Sequence, residues 1–187
     1  MSDIGLVENV RQILEADIDE LVDLSVASMG DAKFVSKWLI ADEDKVALVS
    51  RGISIEVDRY DVQLRGSIQT STDPEVNISG MQGYRIGYQR RWTLAATSPN
   101  SNVQAVTTRI ASDGSSDVRV ARINSSVAAF VDLSWRWHAM RPALLEDSYS
   151  DAFWEAAELF LARLPEFDEA LADEDRYSWW RGLILGW

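Results

Sequence analysis

The sequence predicts a single α+β domain over residues 1–187, with N-terminal helices, a central mainly antiparallel sheet, and C-terminal helices packed on one face of that sheet. Apolar residues repeat at helical spacing near both ends of the chain and alternate at period two through its middle. A length of 187 residues suits one hydrophobic core. Hydrophobic residues make up 47% of the chain and charged residues 26%, a globular composition that excludes a disordered protein.

The N-terminal part is predicted to be helical. An apolar repeat at helical spacing predicts a helix over residues 4–28. Asp31 then stands where its carboxylate caps a second, short helix over residues 32–40. The predicted buried stripe of that helix consists of Phe34, Val35, Trp38 and Leu39. Residues 46–49 fit a helix and a strand equally well.

Alternation of apolar and polar residues begins at Ile53 and predicts the sheet. Ile53, Ile55 and Val57 indicate a half-buried strand, and a second strand includes Val62 and Leu64. The segment 73–83 is rich in Ser, Asn, Gly and Thr and is predicted to be a loop. Four further strands, with turns at 98–101 and 112–115, are predicted over residues 84–87, 92–97, 103–110 and 118–123. Short turns between successive strands favour an antiparallel meander.

Three helices are predicted to close the chain. Asn124 or Ser125 caps the first, which is predicted to end before Pro142. The second follows Ser150 and is predicted to end at Pro165. Its predicted buried stripe consists of Phe153, Ala156, Ala157, Phe160 and Leu164. The third passes through residues 177–184. Of the eight tryptophans, four are predicted to be buried: Trp38, Trp92, Trp154 and Trp180.

Composition excludes several functional classes. The formal charge is −12, and nucleic-acid-binding proteins usually present a basic stripe instead. The chain contains no cysteine, which excludes disulfides, thiolate metal sites and cysteine nucleophiles. His138 is the single histidine; aromatic neighbours and a place near a helix end favour a structural role for it. The sequence predicts no cofactor and no enzymatic activity.

The N-terminal sequence and the hydropathy pattern predict a cytoplasmic protein. Residues 1–5 are acidic and lack the basic and apolar regions of a signal peptide. No apolar run approaches the ~20 residues that a membrane span needs. We therefore expect neither export nor insertion into a membrane.

Negative charge is concentrated at the two ends of the chain. Residues 1–44 carry a net charge of −8 and residues 143–175 a net charge of −10, whereas residues 45–142 carry +4. Within 166–175, six of ten residues are acidic. Such a density costs stability through like-charge repulsion, although carboxylates also help to solubilise a protein and to cap helix N-termini. A surface for a basic partner is an equally good explanation.

Asp151, Glu155 and Glu158 open a second, enzymatic alternative. They lie at i, i+4 and i+7 on one face of a predicted helix, the arrangement in which helical hydrolases hold Mg²⁺. Such sites need a facing pair of carboxylates, and the nearest candidates are Glu166 and Glu169. The chain between the two sets is too short for another full helix and its turn, so a solvated helix face is the favoured interpretation.

A family resemblance rests on residues 80–187. The strand Tyr84-Arg85-Ile86-Gly87, the segment Arg122-Ile123-Asn124-Ser125-Ser126-Val127 entering a helix, and the acidic run followed by Tyr177-Ser178-Trp179-Trp180 resemble the SUKH superfamily. The similarity is best to its fourth subgroup of bacterial immunity proteins. That resemblance implies an α+β fold and a non-catalytic role: binding and blocking the cognate toxin of a polymorphic-toxin system. Many such toxins are nucleases or deaminases with basic clefts.

We therefore predict a surface that binds a basic protein toxin, without nucleic acid or membrane as a partner. Its predicted residues are acidic side chains of 146–175 with aromatic anchors: Glu146, Asp147, Asp151, Glu155, Glu158, Glu166, Asp168, Glu169, Asp173, Glu174, Asp175, Trp179 and Trp187. Two alternatives remain, the Mg²⁺-dependent hydrolase and an adaptor within a larger secretion or scaffold assembly. The oligomeric state is left open by the sequence.

Overall fold

Helices lie at both ends of the chain and an antiparallel sheet lies between them, which confirms the predicted α+β class. The computed structural model describes residues 3–55, 64–78, 80–110, 116–146 and 150–185. The helices are α1 (Asp3–Glu15), α2 (Ile18–Leu21), α3 (Ala32–Val35), α4 (Asp42–Ser50), α5 (Val127–Glu146), α6 (Asp151–Phe167) and α7 (Glu174–Leu185). The strands are β1 (Ala27–Ser28), β2 (Ile53–Ser54), β3 (Arg65–Gly66), β4 (Val76–Ile78), β5 (Met81–Gln89), β6 (Trp92–Thr97), β7 (Val103–Ile110) and β8 (Ser116–Asn124).

The predicted continuous helix over residues 4–28 is wrong. Helix α1 ends at Glu15, and α2, a 3₁₀ turn (Leu24–Val26) and strand β1 follow it. Two aspartates explain the break, because each side chain accepts a hydrogen bond from a backbone N–H two residues later. Asp17 accepts from the Asp19 N–H at 2.9 Å, and Asp23 accepts from the Ser25 N–H at 2.9 Å. Each of these bonds starts a new short element.

Arg136 of α5 holds the C-terminal end of α1 in place. Its guanidinium donates to the carbonyl oxygens of Ile13 at 2.6 Å, Leu14 at 3.2 Å and Ala16 at 3.2 Å. Its Nε donates to Asp132 Oδ1 at 2.6 Å, and the group lies 4.4 Å from the ring centroid of Phe167. Arg136 is only 5% exposed. One buried cation therefore satisfies the free carbonyl groups of a distant helix end.

The helix predicted over residues 32–40 is shorter in the structure, where it forms α3. Asp31 caps α3 by accepting from the Lys33 N–H at 2.8 Å, as predicted. Helix α3 nevertheless ends at Val35, and Leu39 is 66% exposed instead of buried. Trp38 lies beyond the end of α3, and its ring stacks on Tyr84 of β5 with the centroids 4.5 Å apart. The ambiguous residues 46–49 belong to helix α4.

Strands β5 to β8 form the predicted antiparallel meander, in the order β5–β6–β7–β8. The predicted loop 73–83 is wrong, because it contains β4 and the start of β5, and these two strands pair with each other. Strand β3 also pairs with β5, which places it and β4 on the same edge. The predicted strand residues Val57 and Val62 and the turn at 112–115 lie outside the described residues.

The sheet buries most of its apolar side chains on the face that the helices cover. Those residues of the main core are Tyr84, Ile86, Leu94, Ala96, Val103, Ala105 and Ile123. The opposite face holds a smaller cluster of Ile78, Ala95 and Val106. This difference follows from the alternation of side chains along each strand and confirms the predicted packing of helices on one face.

Both predictions of a proline-terminated helix are wrong. Helix α5 continues past Pro142 to Glu146, and α6 continues past Pro165 to Phe167. A proline removes one backbone donor, but the next turn forms when tertiary contacts hold it. Beyond Pro142 the side chain of Leu144 is 1% exposed. Beyond Pro165 the ring of Phe167 packs on Arg136, so buried contacts offset the lost hydrogen bond at both prolines.

The predicted cap of α5 is also displaced. Ser126, rather than Asn124 or Ser125, accepts from the Ala129 N–H at 3.1 Å. Asp44 of α4 adds a second cap by accepting from the Ala128 N–H at 2.7 Å. Asp44 is fully buried, and no sequence pattern indicates a cap supplied from so far along the chain.

We predict that Arg136→Lys lowers the free energy of unfolding by about 2 kcal/mol, because an ammonium lacks the planar fork that reaches several carbonyls at once. The measurement is urea unfolding followed by circular dichroism. Arg11→Lys is the matched control, since Arg11 forms an exposed ion pair with Glu8 and is expected to change the same quantity by less than about 0.5 kcal/mol. Equal midpoints for the two variants would contradict the role given to Arg136.

Candidate partner-binding surface

Helix α6 carries four of the residues predicted to form the partner-binding surface: Asp151, Glu155, Glu158 and Glu166. Ser150 caps it by accepting from the Phe153 N–H at 3.0 Å. The whole predicted stripe is buried in the main core: Phe153, Ala156, Ala157, Phe160 and Leu164. An apolar stripe of this kind fixes which face of the helix meets water.

The opposite face of α6 presents carboxylates. Asp151, Glu155, Glu158 and Glu166 fall within about 80° of the helix circumference, at 100° per residue. All four are exposed. Together with the neighbouring exposed acids we call them the acidic surface; its members are Glu146, Asp151, Glu155, Glu158, Glu166, Glu169, Asp173 and Glu174. Arg163 neutralises part of this charge, since its Nε lies 2.5 Å from Glu166 Oε1.

Asp168, which was predicted to bind the partner, does not belong to the acidic surface, because its carboxylate is buried and hydrogen-bonded within the fold. The residue is 5% exposed. Its Oδ2 accepts from Asn124 Nδ2 and from the Ser125 N–H, both at 2.8 Å. Its Oδ1 accepts from Ser125 Oγ at 2.7 Å and from the Ala170 N–H at 3.1 Å. With four internal donors, this carboxylate has a structural function and is not available to a partner.

Asn124 extends the Asp168 contacts to α7. Its Oδ1 accepts from Trp180 Nε1 at 3.2 Å, and both side chains are fully buried. The amide therefore connects the end of β8 with α6 and α7. The Asn124-Ser125 segment, which was predicted to cap a helix, instead binds a carboxylate 43 to 44 residues further along the chain.

Among the described residues of this region, Trp154 is the exposed aromatic side chain, and the prediction that it is buried is wrong. It is 45% exposed and meets Phe153 edge-on with centroids 5.2 Å apart. Trp179, one of the two predicted aromatic anchors, is partly buried and packs edge-on against Trp180 at 5.2 Å. The sequence does hold a signal for Trp154, since at 100° per residue it lies at the border between the apolar stripe and the acidic stripe.

A groove lies beside Trp154, between α6 and α7. It has a volume of about 420 Å³ and is lined by Trp154, Ser178, Arg181, Gly182 and Leu185. A Cβ atom at Gly182 would meet nothing within 4 Å, so the groove is open at this point. Asp151 and Glu158 stand one turn before and one turn after Trp154, which places an aromatic group between carboxylates.

The side chains of three predicted residues lie outside the described part of the structure. Asp147 and Trp187 lie outside the described residues. Asp175 lies in α7, but its side chain is also outside the described part of the structure.

The three carboxylates of the hydrolase alternative are exposed side by side on α6. Among the residues that the structure describes, no group of three or more histidine, aspartate or glutamate side chains is arranged to hold a metal ion. Asp151, Glu155 and Glu158 therefore line one face of α6, and the described residues do not bring Glu166 and Glu169 together with them as a metal site.

His138 lies within α5, half-buried, and not at a helix end. Its ring meets Trp135 edge-on at 5.4 Å, and its Nδ1 is buried without a hydrogen-bond partner in the described residues. Burial lowers the pKa of His138 below its ordinary value of 6.5; Asp23 opposes this shift and Arg141 adds to it. The neutral imidazole is therefore the form that the fold favours.

No helix of the described residues is long and apolar enough to cross a lipid bilayer. Comparison with models of known protein families, with curated proteins and with solved structures finds no match.

We predict that Asp168→Asn lowers the free energy of unfolding by about 3 kcal/mol. The asparagine amide replaces one carboxylate oxygen with an NH₂ group, which cannot accept the two hydrogen bonds that Asn124 and Ser125 donate. Glu169→Gln, one residue away and exposed, is the matched control and is expected to stay within about 0.5 kcal/mol. Urea unfolding midpoints at constant m-value measure both effects. An Asp168→Asn variant as stable as the control would disprove the structural role given to the Asp168 carboxylate.

We predict that His138→Gln reduces the loss of stability on acidification. Because burial lowers the pKa of His138 in the folded state, the unfolded chain takes up its proton first as the pH falls below about 6.5, and stability is lost through that range. The glutamine variant lacks this contribution. Unfolding midpoints of both proteins at about pH 7.5 and about pH 5 test it; equal decreases would refute the assignment.

Proposed function

We propose that this chain is an immunity protein of the SUKH type, which binds and neutralises a cognate toxin with a basic surface by stoichiometric occlusion. The observation that carries the proposal is the acidic surface with exposed Trp154 at the border of its α6 stripe. The family resemblance of residues 80–187 supports the same conclusion.

Charge supports binding rather than catalysis. Carboxylates at i, i+4 and i+7 of one exposed helix face repel each other, so keeping all three there costs some stability. A surface potential of one sign raises the rate at which an oppositely charged protein approaches. Asp168 shows the contrast, because this acid has a structural role in the fold and is both buried and hydrogen-bonded through each of its oxygens.

The chemistry of the toxin follows from this surface. A toxin that acts on nucleic acid must hold phosphates, and it does so with lysines and arginines around its cleft. The acidic surface is complementary to such a cleft, and Trp154 supplies the large, partly apolar contact typical of an interface hot spot.

Co-expression tests the proposal directly. The toxic domain encoded beside the gene of this chain is expressed in bacteria with and without the chain, and colony survival and co-purification are scored. We expect survival together with a one-to-one complex. Undiminished killing, or a stable complex with a partner that has no toxicity, would contradict the proposal; the second result would favour the adaptor alternative.

We predict that the double variant Glu155→Lys, Glu158→Lys slows association with that toxin about tenfold or more at low salt, whereas Trp154→Ala mainly speeds dissociation, by about tenfold. The control is Glu20→Lys, Glu43→Lys, which changes the net charge equally on the exposed N-terminal elements. Surface plasmon resonance at two salt concentrations measures both rates. If the control slows association as much as the α6 variant does, net charge and not this surface is responsible.

A further inference from the structure

Strand β8 is an edge of the sheet, and its first half is exposed although α7 packs against the strand. The order of the main sheet ends at β8, whose only strand partner among the described residues is β7. The last residues of β8, Ile123 and Asn124, are buried. Residues 117–120 are all exposed. The first half of the strand therefore presents backbone groups that another strand is able to pair with.

The side chains of this exposed edge differ between its two faces. Val118 and Val120 are 47% and 40% exposed. Val120 lies opposite Val106 in the strand register, which puts both valines on the face of the smaller apolar cluster. Asp117 and Arg119 point to the other face and form an ion pair at 3.2 Å, with side chains 64% and 56% exposed.

Charges on an edge strand usually discourage pairing with another copy, because identical charges meet. Here the two charged residues have opposite signs and are two positions apart, so an antiparallel copy is able to place each against its opposite. Exposed valines on the other face add the apolar contact that β-branched residues make between neighbouring strands.

We propose that two copies of this chain associate through antiparallel pairing of β8 with β8, in the register that sets Val118 opposite Val118 of the partner subunit. In this register Asp117 faces Arg119 of the partner subunit, and the reverse contact forms by symmetry. The pairing is isologous, as a twofold dimer requires, and it joins the two sheets edge to edge. It does not depend on the proposed function.

Charge selects this register over its neighbours. A slip by one position places side chains of opposite faces against each other. The two adjacent registers that keep the faces aligned set Arg119 against itself or Asp117 against itself, and like charges directly opposite each other are destabilising. The register centred on Val118 avoids both.

The association is expected to be weak. A few strand hydrogen bonds and two valines per copy bury much less than the roughly 1,200 Å² typical of stable complexes. The formal charge of −12 on each copy also opposes association, so physiological salt, which screens charges beyond about 8 Å, is the suitable condition. The dimer then forms as the protein concentration rises.

The experiment is sedimentation velocity of the full chain from micromolar to millimolar concentration at physiological salt. We expect a concentration-dependent dimer for the parent chain. Asp117→Arg alone and Arg119→Asp alone are each expected to abolish it, because every facing pair then carries like charges. An equimolar mixture of the two single variants, and the double variant Asp117→Arg, Arg119→Asp, are both expected to dimerise again, since facing charges are opposite once more.

Exposed positions serve as the control. The same exchange made on the N-terminal helices, Glu43→Arg mixed with Arg11→Asp, is expected to leave dimerisation unchanged. Circular dichroism verifies that each variant is folded. A parent chain that stays monomeric throughout, single variants that dimerise like the parent, or a mixture and a double variant that fail to recover the dimer would each overturn the proposal.

Discussion

The carboxylate of Asp168 joins three parts of the chain that meet at one buried point. It follows α6, it accepts from Asn124 and Ser125 at the end of β8, and it accepts from the Ala170 N–H in the 3₁₀ turn (Glu169–Ala172). Through Asn124 the same point reaches Trp180 of α7. A buried charge is costly unless donors surround it, and here each oxygen has two. The packing of the last two helices on the sheet depends on this arrangement.

Arg136 and Asp44 also make long-range contacts at helix ends, although Asp44 Oδ2 is buried without a hydrogen-bond partner among the described residues. Arg136 donates hydrogen bonds to the carbonyl groups at the end of α1, and Asp44 accepts a hydrogen bond from an N–H at the start of α5. Each places a charge of the sign that the helix dipole favours at that end. Buried charges thus connect elements far apart in sequence, and the apolar core fills the space between them.

The exposed charges are arranged differently from the buried ones. Carboxylates collect on the outer face of α6 and its neighbours, whereas arginines such as Arg85, Arg119 and Arg122 lie on the strands. Arg85 is committed within the fold, since it donates to Ser67 and to Glu75. On α6, Glu166 pairs with Arg163, whereas Asp151, Glu155 and Glu158 are exposed to solvent. Exposed carboxylates of this kind contribute little to stability and are open to contact with other molecules.

The sequence by itself determined the fold class, the four-stranded meander, the Asp31 cap, and the buried stripe of α6. Each depends on local periodicity or on a bond to a backbone group within three residues, and such signals lie within a short window of sequence. It also determined where acidic residues concentrate, because composition needs no structure.

Only the tertiary structure decided which acids are exposed, where helices pass a proline, and which tryptophan faces water. Asp168 and Glu169 are adjacent acidic residues that no local pattern distinguishes. Asp168 is buried against partners 43 to 44 residues away in the chain, whereas Glu169 is exposed to solvent. Helices α5 and α6 continue beyond proline because buried contacts outweigh one missing hydrogen bond. Long-range contacts set these outcomes, and no local pattern encodes a partner that the chain brings near only by folding.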